Sequence, residues 1–147
     1  MPLSSSRPLF PGDLGYCEGK NTKILVVDDD QELALILKAI LENEAHEVRL
    51  ARDGQDGFLA YLVFGADVVI TDIQMPERDG LELMRLIRRV DPSVSTIYIS
   101  CDLTRYTSLL EDERVRHRVC LLQKPFSKSE LLSLVSQFTS ELGEKKS

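Results

Sequence analysis

Five short strand-like runs, most of them apolar and one alternating, interleave with helical patterns along this chain of 147 residues, and that alternation restricts its fold more than any other feature. "KILVVD" opens the series, followed by "HEVRLA" (46–51), "DVVITD" (67–72), "STIYIS" (95–100) and "RVCLLQ" (118–123). Each reads as a strand. Between the first two, Leu33, Ile36, Leu37, Ile40 and Leu41 recur at i, i+3, i+4, i+7 and i+8, the spacing of an amphipathic helix over 31–44. Phe58, Leu59, Leu62 and Val63 mark a second helix over 54–64, after the turn "ARDG". Leu81, Met84, Leu86, Ile87 and Val90 mark a third, stopped by Asp91-Pro92. Residues 103–115 form a weaker helix on Leu109 and Leu110. A last helix follows Ser127, which with Glu130 makes a capping box ahead of Leu131, Leu132, Leu134, Val135 and Phe138.

Strands that are apolar along their whole length belong to parallel sheets covered on both faces. Strands alternating with helices make βαβ units. The expectation is an α/β fold of five βα units in a three-layer sandwich, with one domain over residues 22–142. Residues 1–21, rich in Ser, Pro and Gly, read as a tail or linker, and 143–147 ("GEKKS") as a frayed C-terminal tail.

A net charge of −6 disfavours a nucleic-acid-binding surface. No apolar stretch approaches the 18 or so residues of a membrane span, and the N-terminus lacks a signal-peptide core. Cys17, Cys101 and Cys120 form no CxxC, and His46 and His117 have no partner at ligand spacing, so zinc and disulfide frameworks are not indicated. A reducing cytoplasm is the expected compartment.

Ligands of open parallel sheets bind beyond the C-terminal strand ends. Asp28 and Asp29 stand there on strand 1, Asp72 on strand 3, Ser100 on strand 4 and Lys124 after strand 5. Clustered carboxylates repel unless neutralised. A hard divalent cation such as Mg²⁺ neutralises them and pairs carboxylates with phosphate oxygens. Lys124 adds a positive charge for a phosphate, and Ser100 a hydroxyl donor. The set suits phosphoryl transfer, with Asp72 as a carboxylate nucleophile. Asp30 reads as a helix N-cap, and Asp67 and Asp79 as turn residues.

"ILVVDDD", "VVITDIQMPERDG", "IYISCD" and "LLQKPF" resemble, in order and spacing, the four blocks of the receiver domain of bacterial two-component response regulators. The resemblance covers about residues 22–142 and implies a flavodoxin-like sheet in the order 2-1-3-4-5. It implies that Asp72 accepts a phosphoryl group from a phosphohistidine on a sensor histidine kinase or a histidine phosphotransfer protein. Asp29, Asp72 and the backbone carbonyl of Gln74 would hold Mg²⁺, with Asp28 acting through water. Lys124 and Ser100 would contact the phosphoryl group, and Ser100 would shift on activation. Met75-Pro76 and Asp79-Gly80 match the family's loop after the acceptor, and Lys124-Pro125 matches its cis peptide.

Three positions depart from the family pattern. Leu121 stands where activated receivers usually carry Tyr or Phe, and leucine cannot report the swing of a ring. The stretch before strand 5, "EDERVRHR", is long and highly charged on the face most receivers use for dimers or effectors. Cys101 follows the switch hydroxyl in place of Ala or Gly, where it either narrows access to Asp72 or packs as a small hydrophobe. Gln74 and Asp102 flank the site and are expected to tune the water that attacks in dephosphorylation.

The expected function is a phosphorylation-controlled receiver rather than an enzyme in its own right. Its output runs through an unknown protein effector or an output domain outside this sequence, with no direct contact to nucleic acid or membrane. Two alternatives remain open. A degenerate receiver would act as a constitutive binding module. A phosphatase of the haloacid-dehalogenase type would use Asp28 and Asp30 as its D-x-D pair, although Gln31 and Glu32 depart from that pattern.

Overall fold

The elements run β1 (Lys23–Val27), α1 (Gln31–Glu42), β2 (Glu47–Ala51), α2 (Gly54–Phe64), β3 (Val68–Asp72), α3 (Gly80–Val90), β4 (Ser95–Ser100), a 3₁₀ turn (Leu103–Tyr106), α4 (Thr107–Arg116), β5 (Val119–Gln123) and α5 (Lys128–Lys146). This is the computed structural model, which describes residues 22–75 and 78–146, with side chains described as far as Ser140. The N-terminal segment expected as a tail, and Pro76, lie outside the described residues. All five strands are parallel, in the order β2-β1-β3-β4-β5. The βα alternation and the expected strand order are therefore both found.

Successive strand residues point to opposite faces, so each strand supplies two cores. Ile24, Val26, Val68, Ile70, Ile97 and Ile99 pack against Leu37 and Leu41 of α1 and Leu131, Val135 and Phe138 of α5. On the other face Leu25, Val27, Val69 and Tyr98 meet Tyr61 and Phe64 of α2, Leu83, Met84 and Ile87 of α3, and Leu110 of α4. Every residue of β3 is buried, as befits the central strand.

The helix starts follow their caps. Asp30, Asp53 and Asp79 accept from the amides of Leu33, Asp56 and Glu82, and so close α1, α2 and α3 at their N-termini. The Ser127 amide donates to Glu130 Oε1 at 2.8 Å while the Glu130 amide donates to Ser127 Oγ at 3.0 Å, the expected capping box. Asp67 ties the start of β1, accepting from the Lys23 amide at 3.0 Å.

Helix expectations are corrected in several places; Ile36 of α1 and Val90 of α3, read on apolar faces, are exposed. In α2, Leu59, Leu62 and Val63 face outward, while Gly57, Tyr61 and Phe64 form the buried side with Phe58 partly covered. This helix is apolar nearly all round, so its sequence carries no single stripe to follow. In α4 only Leu110 is buried, and Leu109 is exposed. Helix α5 runs on to Lys146, through most of the segment read as a C-terminal tail. Glu, Leu and Lys are good helix formers, and one interior glycine costs only about 1 kcal/mol.

Candidate functional site

The order of the strands places β1, β3 and β4 side by side, so their C-terminal ends share one edge with the end of β5. Asp28 follows β1 directly. It is buried, its Oδ1 accepts from the Asp30 amide at 2.9 Å, and its Oδ2 accepts from Lys124 Nζ at 3.3 Å. Asp72 ends β3 and is 9% exposed. Its Oδ2 accepts from Lys124 Nζ at 3.1 Å and its Oδ1 from the Gln74 amide at 3.3 Å. Asp29 is exposed beside them, and one carboxylate oxygen from each of Asp28, Asp29 and Asp72 lies within 4.8 Å of the other two.

Backbone geometry holds this arrangement. Gly80 donates to the Ile73 carbonyl at 2.9 Å, and a Cβ on Gly80 would sit 2.3 Å from the carbonyl oxygen of Asp72. Only glycine allows α3 to approach the acceptor strand so closely. The Lys124 amide donates to the Ser100 carbonyl at 2.8 Å, fixing the lysine backbone to the end of β4. The Lys124-Pro125 peptide is cis, as the sequence resemblance implied.

One ammonium against three carboxylates leaves a formal charge of −2 at this edge. Burial, opposed by the Asp30 amide, raises the Asp28 carboxyl to about 6, with Asp72 pushing the same way and Lys124 against it. Burial alone would lower Lys124, but the Asp28 and Asp72 carboxylates outweigh it and hold it above its ordinary value. The donor set fits Mg²⁺. Oxygens about 2.1 Å from an octahedral ion stand about 3 Å apart as neighbours and about 4 Å apart across it. One oxygen from each of the three carboxylates lies within 4.8 Å of the others, a separation that a shared ion can close, and Asp29 is exposed.

Ser100 ends β4, is buried, and accepts the Asp102 amide on its Oγ at 3.0 Å. Asp102 is exposed and accepts Thr104 Oγ1 at 2.8 Å; Gln74 is exposed too. Cys101 is exposed, which removes the reading of a packed small hydrophobe. Cys101 follows the last residue of β4, in the turn that leaves the sheet, and so stands outside the core that buries every residue of the strand. It lines an apolar groove of about 560 Å³ beside Lys124, with Leu33, Ile36, Ile40, Pro125 and Phe126. Leu121 is half-buried on β5, in register with Tyr98 of β4.

Two features escaped the sequence reading. Gln123 donates from Nε2 to the Cys101 carbonyl and accepts the Leu103 amide at 3.3 Å, clamping the turn after β4. A polar residue closing an apolar strand was the available signal. Tyr98, the single aromatic of β4, joins Arg88 and Glu113 in a polar cluster.

Residues 24–136 match the family model of the response regulator receiver domain. The chain is 31% identical over 122 residues to the transcriptional regulatory protein TrcR of Mycobacterium tuberculosis, covering 79% of this chain and 44% of that protein. It is 32% identical over 114 residues to the DNA-binding transcriptional regulator NtrC of Azospirillum brasilense, covering 78% of this chain and 23% of NtrC. The chain thus spans less than half the length of these relatives. Among solved structures, the receiver domain of the Francisella response regulator 1452 superposes with a TM-score of 0.72 at 28% identity, covering 83% of this chain and 99% of that one. A CheY-like receiver from Methanospirillum hungatei superposes at 0.77 with 23% identity, covering 86% of this chain and 99% of that one, and shows the shared fold. The family match, the relatives and the carboxylate edge agree: the chain belongs to the response regulator receiver domain family.

Proposed function

We propose that this chain is a phosphorylation-controlled signalling receiver in which Asp72 accepts a phosphoryl group from a phosphohistidine. The donor is a sensor histidine kinase or a histidine phosphotransfer protein. The observation that carries the reading is the meeting of Asp28, Asp29 and Asp72 around the single ammonium of Lys124.

In the transfer, a carboxylate oxygen of Asp72 attacks phosphorus. The new O–P bond forms as the P–N bond breaks, and the electron pair leaves with the imidazole nitrogen. Asp29, Asp72 and the Gln74 carbonyl would hold Mg²⁺, with Asp28 through water, and the ion when bound supplies charge neutralisation for the phosphoryl oxygens. Lys124 is poised on Asp72 Oδ2 and moves only a short way to a phosphoryl oxygen. The Ser100 hydroxyl donates to another. The groove shares Lys124 with this site, and we assign it to the apolar surface of the histidine-bearing partner, which must come within bonding distance of Asp72.

The phosphatase alternative loses support because Asp30, the second carboxylate of a D-x-D pair, caps α1 at Leu33 instead. Contact with nucleic acid, the activity named for NtrC, belongs in this reading to other segments of such proteins. The test is peptide mapping after incubation with a small phosphoramidate and Mg²⁺. The phosphoryl group is expected on Asp72; label on Asp28, or none, rejects the proposal.

A further inference from the structure

Helix α4 is fixed differently from its neighbours. It buries one side chain, Leu110, whereas α3 buries Leu83, Met84 and Ile87 among others, and no side chain caps the start of α4. Its C-terminal half is held by a carboxylate instead. Arg88 of α3 donates from Nη1 to Glu113 of α4, and from Nη2 to Thr96 Oγ1 of β4 at 2.7 Å. The Tyr98 hydroxyl lies 2.7 and 2.9 Å from the two Glu113 oxygens. Tyr98 is fully buried, and the Arg88 side chain is 8% exposed. Helices α3 and α4 and strand β4 therefore meet at one acid. Burial and the Glu113 carboxylate push the Tyr98 phenol well above its ordinary range, so it remains a donor.

Tyr98 also sits where a signal must pass. It lies two residues before Ser100 and projects from the same face of β4. Its partners in register are Thr71, next to Asp72, on one side and Leu121 on the other. Besides the Gln123 clamp on Cys101 and Leu103, the segment after β4 is attached at its two ends. At the near end Ser100 Oγ holds the Asp102 amide; at the far end Tyr98 and Arg88 hold Glu113. Drawing Ser100 toward a phosphoryl oxygen pulls on the near end, and the hold on Glu113 decides how much of that displacement reaches α4.

We infer that Tyr98 is the positioning residue that couples the phosphoacceptor edge to helix α4 through Glu113 and Arg88, next to a position where Leu121 offers no ring. The inference rests on reading Asp72 as the phosphoacceptor. Hydrogen bonds of a phenol and a guanidinium to a carboxylate are charge-assisted and directional, so they define a position for α4 that the lone Leu110 contact does not.

The test compares the full chain with its Tyr98→Phe variant by amide NMR and hydrogen exchange, with and without Mg²⁺ plus beryllofluoride, a phosphoryl mimic. In the parent protein, beryllofluoride is expected to shift amides beside Asp72 and along 103–116. In Tyr98→Phe the shifts beside Asp72 persist. Amides of 107–116 exchange about tenfold faster before beryllofluoride is added, and their response to it falls by more than half. An α4 response equal to that of the parent overturns the coupling alone. A parent protein silent beside Asp72 overturns the phosphoacceptor reading and the coupling with it. Should Tyr98→Phe not fold, Glu113→Gln asks the same question from the α4 side, where the side chain is only half-buried, with the same expected loss and the same overturning result.

Discussion

Lys124 and Asp72 stand 52 residues apart in the chain yet meet at 3.1 Å, and the same ammonium reaches Asp28 at 3.3 Å. One cation thus compensates two buried carboxylates. Replacing it exposes their repulsion. Lys124→Met is expected to lose on the order of 3 kcal/mol of stability without Mg²⁺, the usual cost of leaving a buried charge unpaired. Millimolar Mg²⁺ recovers much of that loss, while phosphorylation of Asp72 falls at least tenfold. Urea unfolding with EDTA or Mg²⁺ checks the first part and phosphoramidate labelling the second. A variant as stable as its parent in EDTA would show that the lysine compensates nothing.

Asp28 gives a pH signature. Its carboxyl moves from 3.8 unfolded to about 6 folded, chiefly through burial. The folded state therefore holds the proton more tightly than the unfolded chain. Stability from this group is present below pH 4, lost as pH rises to about 6, and flat beyond, for a total on the order of 3 kcal/mol. Asp91 runs the other way: burial would raise it, but the hydrogen bonds from Ser93 and Tyr61 prevail and lower it. The difference in urea midpoint between the parent and Asp28→Asn, in EDTA from pH 4.5 to 7, isolates the Asp28 contribution. That difference should grow in favour of Asp28→Asn as pH rises. Mg²⁺ should stabilise the parent far more at pH 7 than at pH 4.5, where protons compete for the same oxygens.

Gly80→Ala is expected to destabilise by about 1–3 kcal/mol, the range for forcing an extra methyl into a packed site. The added carbon would sit 2.3 Å from the Asp72 carbonyl, so the acceptor strand must give way. Thermal unfolding reads the loss, and slower phosphoramidate labelling reads the displaced Asp72. Unchanged labelling with reduced stability would place the relaxation in α3 rather than β3.

Ala45 holds φ 70 in the turn after α1, an unfavourable backbone region for a residue with a Cβ. Ala45→Gly should stabilise by roughly 0.5–1 kcal/mol, since relief of 1–2 kcal/mol exceeds glycine's added entropy in the unfolded chain. An equal or lower melting temperature would refute this.

Strand periodicity, caps and the carboxylate edge were legible because each depends on local chemistry. An apolar run ending in Asp28 or Asp72 says strand and site at once, and the Asp30 cap and Ser127–Glu130 box are short-range patterns. The outward face of α2 was not legible, because Leu59 and Tyr61 are both apolar enough to be buried. Tertiary contacts chose: Gly57 lets Val27 and Leu83 approach, and Tyr61 reaches Asp91 at 2.9 Å. The Tyr98–Glu113–Arg88 cluster was hidden for a different reason. Its members come from three elements, and only the packing of α4 brings them together.

The site draws its groups from the ends of β1, β3, β4 and β5, so none of it exists until the sheet is complete. Any ion or phosphoryl mimic that binds there binds the finished domain and not the unfolded chain, and mass action spreads its effect over every strand. A protease that waits for global opening should therefore cut the chain more slowly, at sites far from Asp72, as the concentration of such a ligand rises. Occupancy of a few carboxylate oxygens becomes measurable as the lifetime of the entire polypeptide.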